Sequence, residues 1–274
     1  MDISSGPGDA RPKILLLSGT SEGPRLARAL LAADFDVHAT VTRTEAIATL
    51  FGPASAYASD SASGALTVEA RGFTDDSLTE FLAAGLADLV VDATHPFAVR
   101  ITEIARRVCT ARDVPLVRFL RPDWEPPAGT RLADSFAEAA DLLPALGRRI
   151  LLTIGAKKLK HFAGLHERVT LFARVLPGEV SFQQAQRAGF ALERIVAARP
   201  PFTQADNRAL FEKLGIDVLL TKASGREGGV AEKVLAAAEL GIQVVMIRRP
   251  AEFSTDLVET IEAAVGRVQQ LTRR

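Results

Sequence analysis

Short apolar runs recur along the chain and alternate with longer segments in which apolar residues return every third or fourth position. The short runs are typical of buried strands, and the longer segments are typical of amphipathic helices. In the first half, strands are predicted over 13–18, 37–41, 67–70, 89–92 and 116–119. Helices are predicted between them over 22–33, 75–84 and 99–108. This alternation indicates parallel β-α-β units.

The alternation resumes after a proline-rich polar stretch that begins at Arg121. The second half has predicted strands over 149–154, 169–174, 195–198, 218–221 and 244–247, and predicted helices over 134–146, 157–163, 180–188, 205–214, 228–239 and 255–269. We therefore predict an α/β fold with two Rossmann-like domains, residues 13–120 and 133–274, joined by a linker over 121–132. Two such domains with parallel sheets are expected to form a ligand cleft between them.

Bulk composition excludes several classes of function. The chain has 33 Lys plus Arg and 33 Asp plus Glu, so its formal net charge is zero. It therefore lacks the positive charge that favours nucleic acid as a partner. Cys109 is the only cysteine, which rules out an intramolecular disulfide and suits a reducing cytoplasm. No apolar run approaches the ~20 residues of a membrane span. The polar stretch 1–12 is typical of a disordered leader and not of a signal peptide, so a cytoplasmic location is expected.

A polar loop follows the fourth predicted strand and precedes a helix. Asp92, Thr94 and His95 place a carboxylate, a hydroxyl and an imidazole there. Ligands of open parallel sheets bind at this carboxyl edge. Pro96 restricts its own backbone and that of His95, so the loop is expected to be stiff and to aim its side chains.

A glycine turn, Ser18-Gly19-Thr20-Ser21-Glu22-Gly23, joins the first strand to the first helix. Gly19 permits a tight turn, and the amides of the helix start can hold a phosphate together with the hydroxyls of Thr20 and Ser21. The turn does not match the dinucleotide pattern G-x-G-x-x-G. It therefore predicts either a phosphate site or an ordinary turn with Ser21 as the N-cap.

Arg43 follows the second strand and is flanked by Thr42 and Thr44, with no acid immediately beside it. In nucleotide-binding folds, an acid near this strand end favours NAD, and an arginine accommodates the extra phosphate of NADP. Arg43 thus favours NADPH, with a solvated arginine as the alternative.

A second glycine-rich loop follows the strand over 218–221. It contains Lys222, Ser224, Gly225 and Gly229, and its glycines permit close approach of a ligand. It does not match the P-loop pattern. We interpret this loop as functional.

Groups for other chemistries are scarce. The four histidines (His38, His95, His161 and His166) show no metal-ligand spacing, so no metal site is predicted. No Ser-His-Asp spacing or cysteine nucleophile is evident. This scarcity suits hydride transfer, in which the cofactor supplies the chemistry and the protein supplies orientation.

Together these segments resemble the precorrin-6A reductase family of cobalamin biosynthesis over about residues 13–250. The matching segments are Ser18–Glu22, Asp92–Ala98, the Gly155 loop, Arg174–Pro177, Lys222–Gly225 and Gly228-Gly229. The resemblance implies two Rossmann-like domains that hold NADPH and a tetrapyrrole macrocycle, and reduction of one double bond of precorrin-6A. A sister group acts on the cobalt-loaded macrocycle, and the motifs do not separate the two groups.

The resemblance also assigns residues. Those implied to contact NADPH or line its surroundings are Gly19, Thr20, Ser21, Glu22, Asp92, Thr94, His95, Lys222, Ser224, Gly225 and Gly229. The carboxylates of the macrocycle need cationic or backbone donors. Candidate cations are Arg100, Arg118, Arg121, Lys157, Lys158, Arg199, Lys222 and Arg226. The expected partners are the substrate and, transiently, neighbouring pathway enzymes.

His95 is the candidate catalytic residue. Hydride addition must be balanced by a proton at the neighbouring carbon, which requires a general acid. Asp92, at the same strand end, can raise the proton affinity of the imidazole and hold one tautomer. The alternative is that His95 only hydrogen-bonds the loop or the nicotinamide amide.

Two other classes of function stay open on the residues alone. One is a non-catalytic nucleotide- or phosphate-binding module, because no proton donor is certain. The other is a glycosyl-transfer-like enzyme, since tandem Rossmann-like domains also build those. Binding of NADPH separates the reductase from both.

Overall fold

The computed structural model describes residues 11–52, 64–225, 228–252 and 256–273. Most of the predicted leader, and Arg226, lie outside these ranges. The described chain forms two compact units. The first is drawn from Met1–Arg121 and Ala251–Arg274, and the second from Pro122–Pro250.

Both units consist of strands that alternate with helices. The strands are β1 (Lys13–Ser18), β2 (Asp36–Val41), β3 (Leu66–Ala70), β4 (Leu89–Ala93), β5 (Leu116–Phe119), β6 (Arg131–Ala133), β7 (Arg149–Leu152), β8 (Thr170–Val175), β9 (Ile195–Ala197), β10 (Val218–Lys222), β11 (Gln243–Ile247) and β12 (Leu257–Val258). The α-helices are α1 (Glu22–Ala32), α2 (Thr44–Ala46), α3 (Asp75–Ala83), α4 (Val99–Ala111), α5 (Phe136–Leu146), α6 (Glu179–Arg187), α7 (Gln204–Leu214), α8 (Val230–Glu239) and α9 (Ile261–Thr272).

Three segments have other helical geometry. Ile47–Phe51 is a π-helical continuation of α2. Ala156–Leu165 and Leu192–Arg194 are 3-10 helices. The 3-10 helix Ala156–Leu165 replaces the α-helix predicted over 157–163. Its N-cap residue is Gly155, whose φ is +85°.

The first unit contains a six-stranded sheet in the order β12-β5-β4-β1-β2-β3. Every pair of neighbours is parallel. The strand order reverses at β1, because β2 and β3 lie on one side and β4 and β5 on the other. The carboxyl ends of β1 and β4 therefore bound the crevice in which open α/β sheets bind ligands.

The apolar run of β1 is buried on both faces of this sheet. Ile14 and Leu16 pack into one core cluster with residues of α1 and α9. Leu15 and Leu17 pack into another with residues of α3 and α4. Burial on both faces is the reason that the strand is apolar throughout and does not alternate. This confirms the interpretation of the short apolar runs as buried strands.

The second unit contains another six-stranded parallel sheet, in the order β6-β11-β10-β7-β8-β9. Its strand order reverses between β7 and β10. Leu219 on β10 and Val234 on α8 belong to one apolar cluster, with Phe211 on α7. The predicted α/β fold with two parallel sheets is confirmed.

Two edge strands depart from the predicted boundaries. β12 falls inside the helix predicted over 255–269, and its pairing with β5 returns the end of the predicted domain 133–274 to the first unit. The amide of Arg118 donates to the carbonyl of Asp256 at 2.8 Å. β6 begins within the predicted linker 121–132 and pairs with β11. Strands this short have no readable period, and only their partners stabilise them.

Gly23 on α1 is required for the close approach of α1 to β1. A Cβ at this position would lie 1.8 Å from the Oγ of Ser18 and 2.9 Å from its Cβ. We expect Gly23→Ala to lower the free energy of unfolding by about 1–3 kcal/mol through overpacking, measured by urea denaturation.

Gly19→Ala is the matched control, because a Cβ there meets nothing closer than 3.9 Å. It should unfold at nearly the wild-type urea concentration. Equal stability of Gly23→Ala and wild type would show that Ser18 accommodates the methyl group.

Candidate functional site

The turn after β1 and the loop after β4 meet at the carboxyl edge of the first sheet. The Oγ1 of Thr20 donates to the carbonyl of Ala93 at 3.2 Å. Gly19 is exposed, and a Cβ on it would lie 3.9 Å from the Cα of Thr94. The structure therefore brings these two sequence-predicted segments together in one unit.

Ser21 occupies the N-cap position of α1, but its side chain makes no capping hydrogen bond. The backbone there is helical, with φ of −61° and ψ of −19°. Side-chain capping normally satisfies the free amides of the first helical turn. At this helix start the amide of Gly23 donates to the carbonyl of Thr20 at 3.2 Å, and Pro24 has no amide hydrogen, so Ser21 has no free donor to cap. The missing cap therefore does not decide between a phosphate site and an ordinary turn.

Glu22 and Arg121 form a buried ion pair beneath this turn. The Nη1 of Arg121 lies 3.1 Å from Oε1 of Glu22, although the two groups are not oriented as a hydrogen bond. Both residues line a small cavity of about 10 Å³, with Thr20, Thr94 and Pro96. A space of this size holds about one water molecule. Arg121 is thus engaged by Glu22 and is not a surface cation.

Asp92 stabilises the loop after β4 from within. Its side chain is 0% exposed. Oδ1 accepts from the amide of Thr94 at 3.0 Å and from its hydroxyl at 2.7 Å. Oδ2 accepts from the hydroxyl of Thr102 on α4 at 2.7 Å. Asp92 was predicted among the ligand contacts, but these bonds use its carboxylate to position Thr94.

Arg118 on β5 completes this network. Its Nη1 lies 3.1 Å from Oδ1 of Asp92 and donates to the carbonyls of Asp92 and Thr94 at 3.0 and 3.1 Å. Its Nε donates to Oε2 of Glu252 at 3.0 Å. Arg118 is 1% exposed, so the prediction that it binds a substrate carboxylate is not supported. Its buried guanidinium links the β4 loop to the C-terminal segment at Glu252.

His95 is half-buried on this loop. The amide of Phe97 donates to Nδ1 of His95 at 3.1 Å. A nitrogen that accepts a hydrogen bond carries no proton, so the ring proton of the neutral imidazole is on Nε2. The ring can therefore donate from Nε2 while its loop bond is intact.

Arg43 is exposed immediately before α2, with extended backbone angles of −149° and 144°. It follows β2, the neighbour of β1 on the side away from β4. Parallel strands end at one edge, so Arg43 shares the carboxyl edge of the first sheet with Gly19.

The loop after β10 lies at the carboxyl edge of the second sheet. Gly225 and Gly229 have φ of +80° and +66°, a backbone conformation that favours glycine. Ser224 is buried. Burial, with repulsion from Lys158, lowers the pKa of Lys222 to about 8. Lys222 thus ends β10, Ser224 and Gly225 follow it in the loop, and Gly229 is the N-cap of α8.

Two buried cations beside this loop were not predicted as site residues. Arg174 on β8 is 8% exposed, and Lys233 on α8 is 7% exposed. The signal for Lys233 was its spacing, because it stands three residues after Val230 and four before Ala237 on the buried face of α8. A lysine on such a face has no place in an apolar core unless something engages its charge.

Two classes of site find no support in the part of the chain that the structure describes. It contains no cluster of three or more His, Cys, Asp or Glu side chains placed to hold a metal ion. No described helix combines the length and apolar character needed to cross a membrane. Cys109 is buried, and desolvation raises its pKa to about 12, so its thiol is not a nucleophile at neutral pH.

The two parallel sheets, each with ligand-type loops at its carboxyl edge, define a Rossmann-like α/β protein. A family model described as Precorrin-6x reductase CbiJ/CobK matches residues 13–269. The chain belongs to this family of oxidoreductases of cobalamin biosynthesis. The resemblance inferred from the loop motifs is confirmed.

Individual relatives agree with the family match. A Precorrin-6A reductase of Rhodococcus erythropolis is 39% identical over 267 residues, which cover 96% of this chain and 99% of that protein. A Cobalt-precorrin-6A reductase of Synechocystis sp. is 34% identical over 251 residues, covering 88% and 90%. The solved structure of CobK precorrin-6A reductase gives a TM-score of 0.73 at 28% identity, covering 95% of this chain and 97% of that one.

Arg118→Met should lower the free energy of unfolding by about 3–5 kcal/mol, because it leaves the buried Asp92 without its cation. The double variant Asp92→Asn/Arg118→Met should recover part of the loss, since a neutral amide needs no countercharge. Urea denaturation measures both. Arg112→Met, which changes an exposed arginine, is the control. A loss below about 1 kcal/mol, typical of a surface pair, would contradict this role of Arg118.

Proposed function

We propose that this protein reduces one double bond of the precorrin-6A macrocycle to the dihydro product, with NADPH as the hydride donor. The family match over residues 13–269 carries the proposal. The cobalt-containing macrocycle is the second candidate substrate, because one relative at 34% identity bears that name. The 39% identical relative is named for the cobalt-free compound, and we place that substrate first.

The first unit offers the residues for the cofactor. Gly19, Thr20 and Ser21 would hold its diphosphate through the amides at the start of α1. Gly19 is exposed and has no side chain there, so a phosphate can approach the backbone. Glu22 would shape the turn through Arg121 and not touch the cofactor. Arg43 would donate hydrogen bonds to the ribose phosphate that distinguishes NADPH from NADH.

The β4 loop would present its groups to the reacting atoms. NADPH supplies the hydride when bound. Asp92 is assigned as a positioning residue for Thr94, because its Oδ1 accepts a hydrogen bond from the Thr94 hydroxyl at 2.7 Å. His95 is the candidate catalytic residue. Proton delivery from its imidazolium would require the bond from Phe97 to Nδ1 to break. Donation of a hydrogen bond from Nε2 would leave that bond intact.

The second unit would supply polar contacts from its own carboxyl edge. Anionic groups of the cofactor or substrate would bind at the loop after β10. The residues at the ends of this loop and within it are Lys222, Ser224, Gly225 and Gly229. We place the reaction in the cytoplasm, where reduced nicotinamide nucleotide is supplied. Transient contact with neighbouring pathway enzymes would hand over the macrocycle.

The proposal is tested by adding precorrin-6A to the protein with NADPH and following nicotinamide absorbance. NADPH should be oxidised with formation of the dihydro product, and NADH should bind about tenfold more weakly, since one charge-assisted phosphate contact contributes about 1.5–3 kcal/mol. Arg43→Ala should remove most of this preference.

Arg28→Ala, at an exposed arginine on α1, is the control. An unchanged ratio of NADPH to NADH affinity in Arg43→Ala would exclude Arg43 from the phosphate site. Absence of NADPH binding by the wild type would remove the reductase proposal. Parallel reactions with the cobalt-loaded macrocycle decide between the two substrates.

His95 is tested with two variants that separate its roles. The amide of Gln can replace the Nε2 donor, whereas that of Asn is too short to reach the same position. If His95 donates a hydrogen bond, His95→Gln should keep kcat within about tenfold, and His95→Asn should lose more. If His95 is the general acid, both should lose about 10²-fold or more with NADPH affinity intact. Near-normal turnover of both variants would exclude His95 from catalysis.

A further inference from the structure

The loop after β10 leaves the sheet through a peptide unit that is bonded at both of its polar groups. The amide of Ser224 donates to the carbonyl of Lys222 at 2.8 Å. The carbonyl of Ala223, in the same peptide unit as that amide, accepts from Nε of Arg249 at 3.1 Å. A peptide unit is planar, so bonds to its amide and its carbonyl together fix its orientation. The direction in which the chain leaves β10 thus depends on a side chain that follows β11.

Arg249 is held in turn by the segment 122–124, at which the chain enters the second unit and which we call the entry segment. Nη2 of Arg249 donates to the carbonyl of Pro122 at 3.1 Å, and its Nε lies 3.3 Å from Oδ1 of Asp123. The Arg249 side chain is 11% exposed. Because a guanidinium donates from several nitrogens in a fixed plane, one side chain can bond two segments at once. Arg249 therefore joins the loop after β10 to the entry segment.

The buried carbonyl of Ala223 matters more to this arrangement than the ion pair with Asp123. The Asp123 side chain is 60% exposed, and an ion pair open to solvent contributes little stability. Ala223 is buried, so its carbonyl has little access to water. A buried acceptor that loses its donor keeps the full cost of its desolvation. Loss of the Arg249 guanidinium should therefore be felt first at the Ala223 peptide.

The residues on either side of this peptide unit are those assigned to ligand binding. Lys222 precedes Ala223, Ser224 follows it, and Gly225 then turns the chain with a φ of +80°. A rotation of the peptide plane would move the groups on both sides of it. Groups that must first be ordered bind a ligand more weakly than groups already in place. The orientation of the Ala223 peptide therefore bears directly on the affinity of the loop for its ligand.

We propose that Arg249 is a positioning residue for ligand binding, which orders the loop after β10 through the carbonyl of Ala223. The inference rests on the proposed function, in which this loop binds an anionic group of NADPH or of the macrocycle. The ordering itself is a property of the free protein and needs no ligand. Arg249 thus acts on binding through Ala223, and the loop residues Lys222, Ser224 and Gly225 make the contacts.

The first test measures hydrogen exchange of the free, full-length protein by mass spectrometry. Arg249→Met keeps the apolar stem and removes every donor. Peptides from the loop after β10 should exchange about fivefold faster or more, because the Ala223 carbonyl loses its donor, whereas peptides from β7 should be unchanged. Arg249→Lys, which restores one donor group, should recover part of the protection. Arg248→Met, at the neighbouring arginine with an exposed ion pair, is the matched control and should change neither set of peptides.

The second test is separate equilibrium titration of NADPH and of precorrin-6A. Arg249→Met should weaken the binding of at least one of them by about fivefold or more, and Arg249→Lys should weaken it less. The ligand that is affected is the one that the loop after β10 binds. At saturating concentrations of both ligands, kcat of Arg249→Met should stay within about twofold of the wild type, because Arg249 acts on binding and not on the reacting atoms.

Trp124, the only tryptophan of the chain, separates this role from a purely structural one, because its fluorescence reports on the entry segment. A shifted emission in Arg249→Met with unchanged exchange of the loop would show that Arg249 anchors the entry segment alone, which overturns the proposal. Faster exchange of the loop with unchanged affinity for both ligands also overturns it. If the wild type binds neither ligand, the proposed function fails and the ligand role fails with it, whereas the exchange data still decide whether Arg249 orders the loop.

Discussion

The buried guanidinium of Arg118 connects the parts of the first unit on which its site depends. It lies against the carboxylate of Asp92, the carbonyl of Thr94 and the carboxylate of Glu252. A buried charge is tolerated only when its partners satisfy it, and here the partners come from two separate segments of the chain, the end of β4 with its loop and the segment at Glu252. Their satisfaction specifies the β4 loop conformation and, through it, the placement of Thr94 and His95. The C-terminal segment is thus part of the support for a loop far from it in sequence.

The two carboxyl edges treat charge differently, although their sheets have the same architecture. In the first unit, both buried arginines have carboxylate partners. Arg118 is paired with Asp92 and Glu252, and Arg121 is paired with Glu22. The exposed turn there offers mainly amides and hydroxyls. In the second unit, the described partners of Arg174 are neutral, and desolvation lowers its pKa to about 10. The buried cations of the first unit are thus neutralised within it, whereas the described partners of Arg174 carry no charge.

Residue type and loop position were enough to locate much of the candidate site. Gly19, Thr20 and His95 follow apolar runs directly, and parallel pairing brings the ends of those runs to one edge. The contacts that each side chain makes could not be predicted from the sequence. Asp92 and Arg118 had the residue types of ligand contacts, but each satisfies the other inside the unit. Lys233 was missed because a single lysine in an apolar helical pattern is indistinguishable from an imperfect core position until its neighbours are known.

The local pattern of residues accounts for the doubly buried strands, the amphipathic helices and the turns between them. Such features follow from the period of apolar residues and from caps such as Thr74, whose side chain accepts from the amide of Ser77. Tertiary structure decided what depends on distant partners. β12 is too short to be stable alone and exists through its pairing with β5, which moves the chain end into the first unit. The same holds for charge, because whether an arginine or lysine is paired, buried or left for a ligand depends on which segments enclose it.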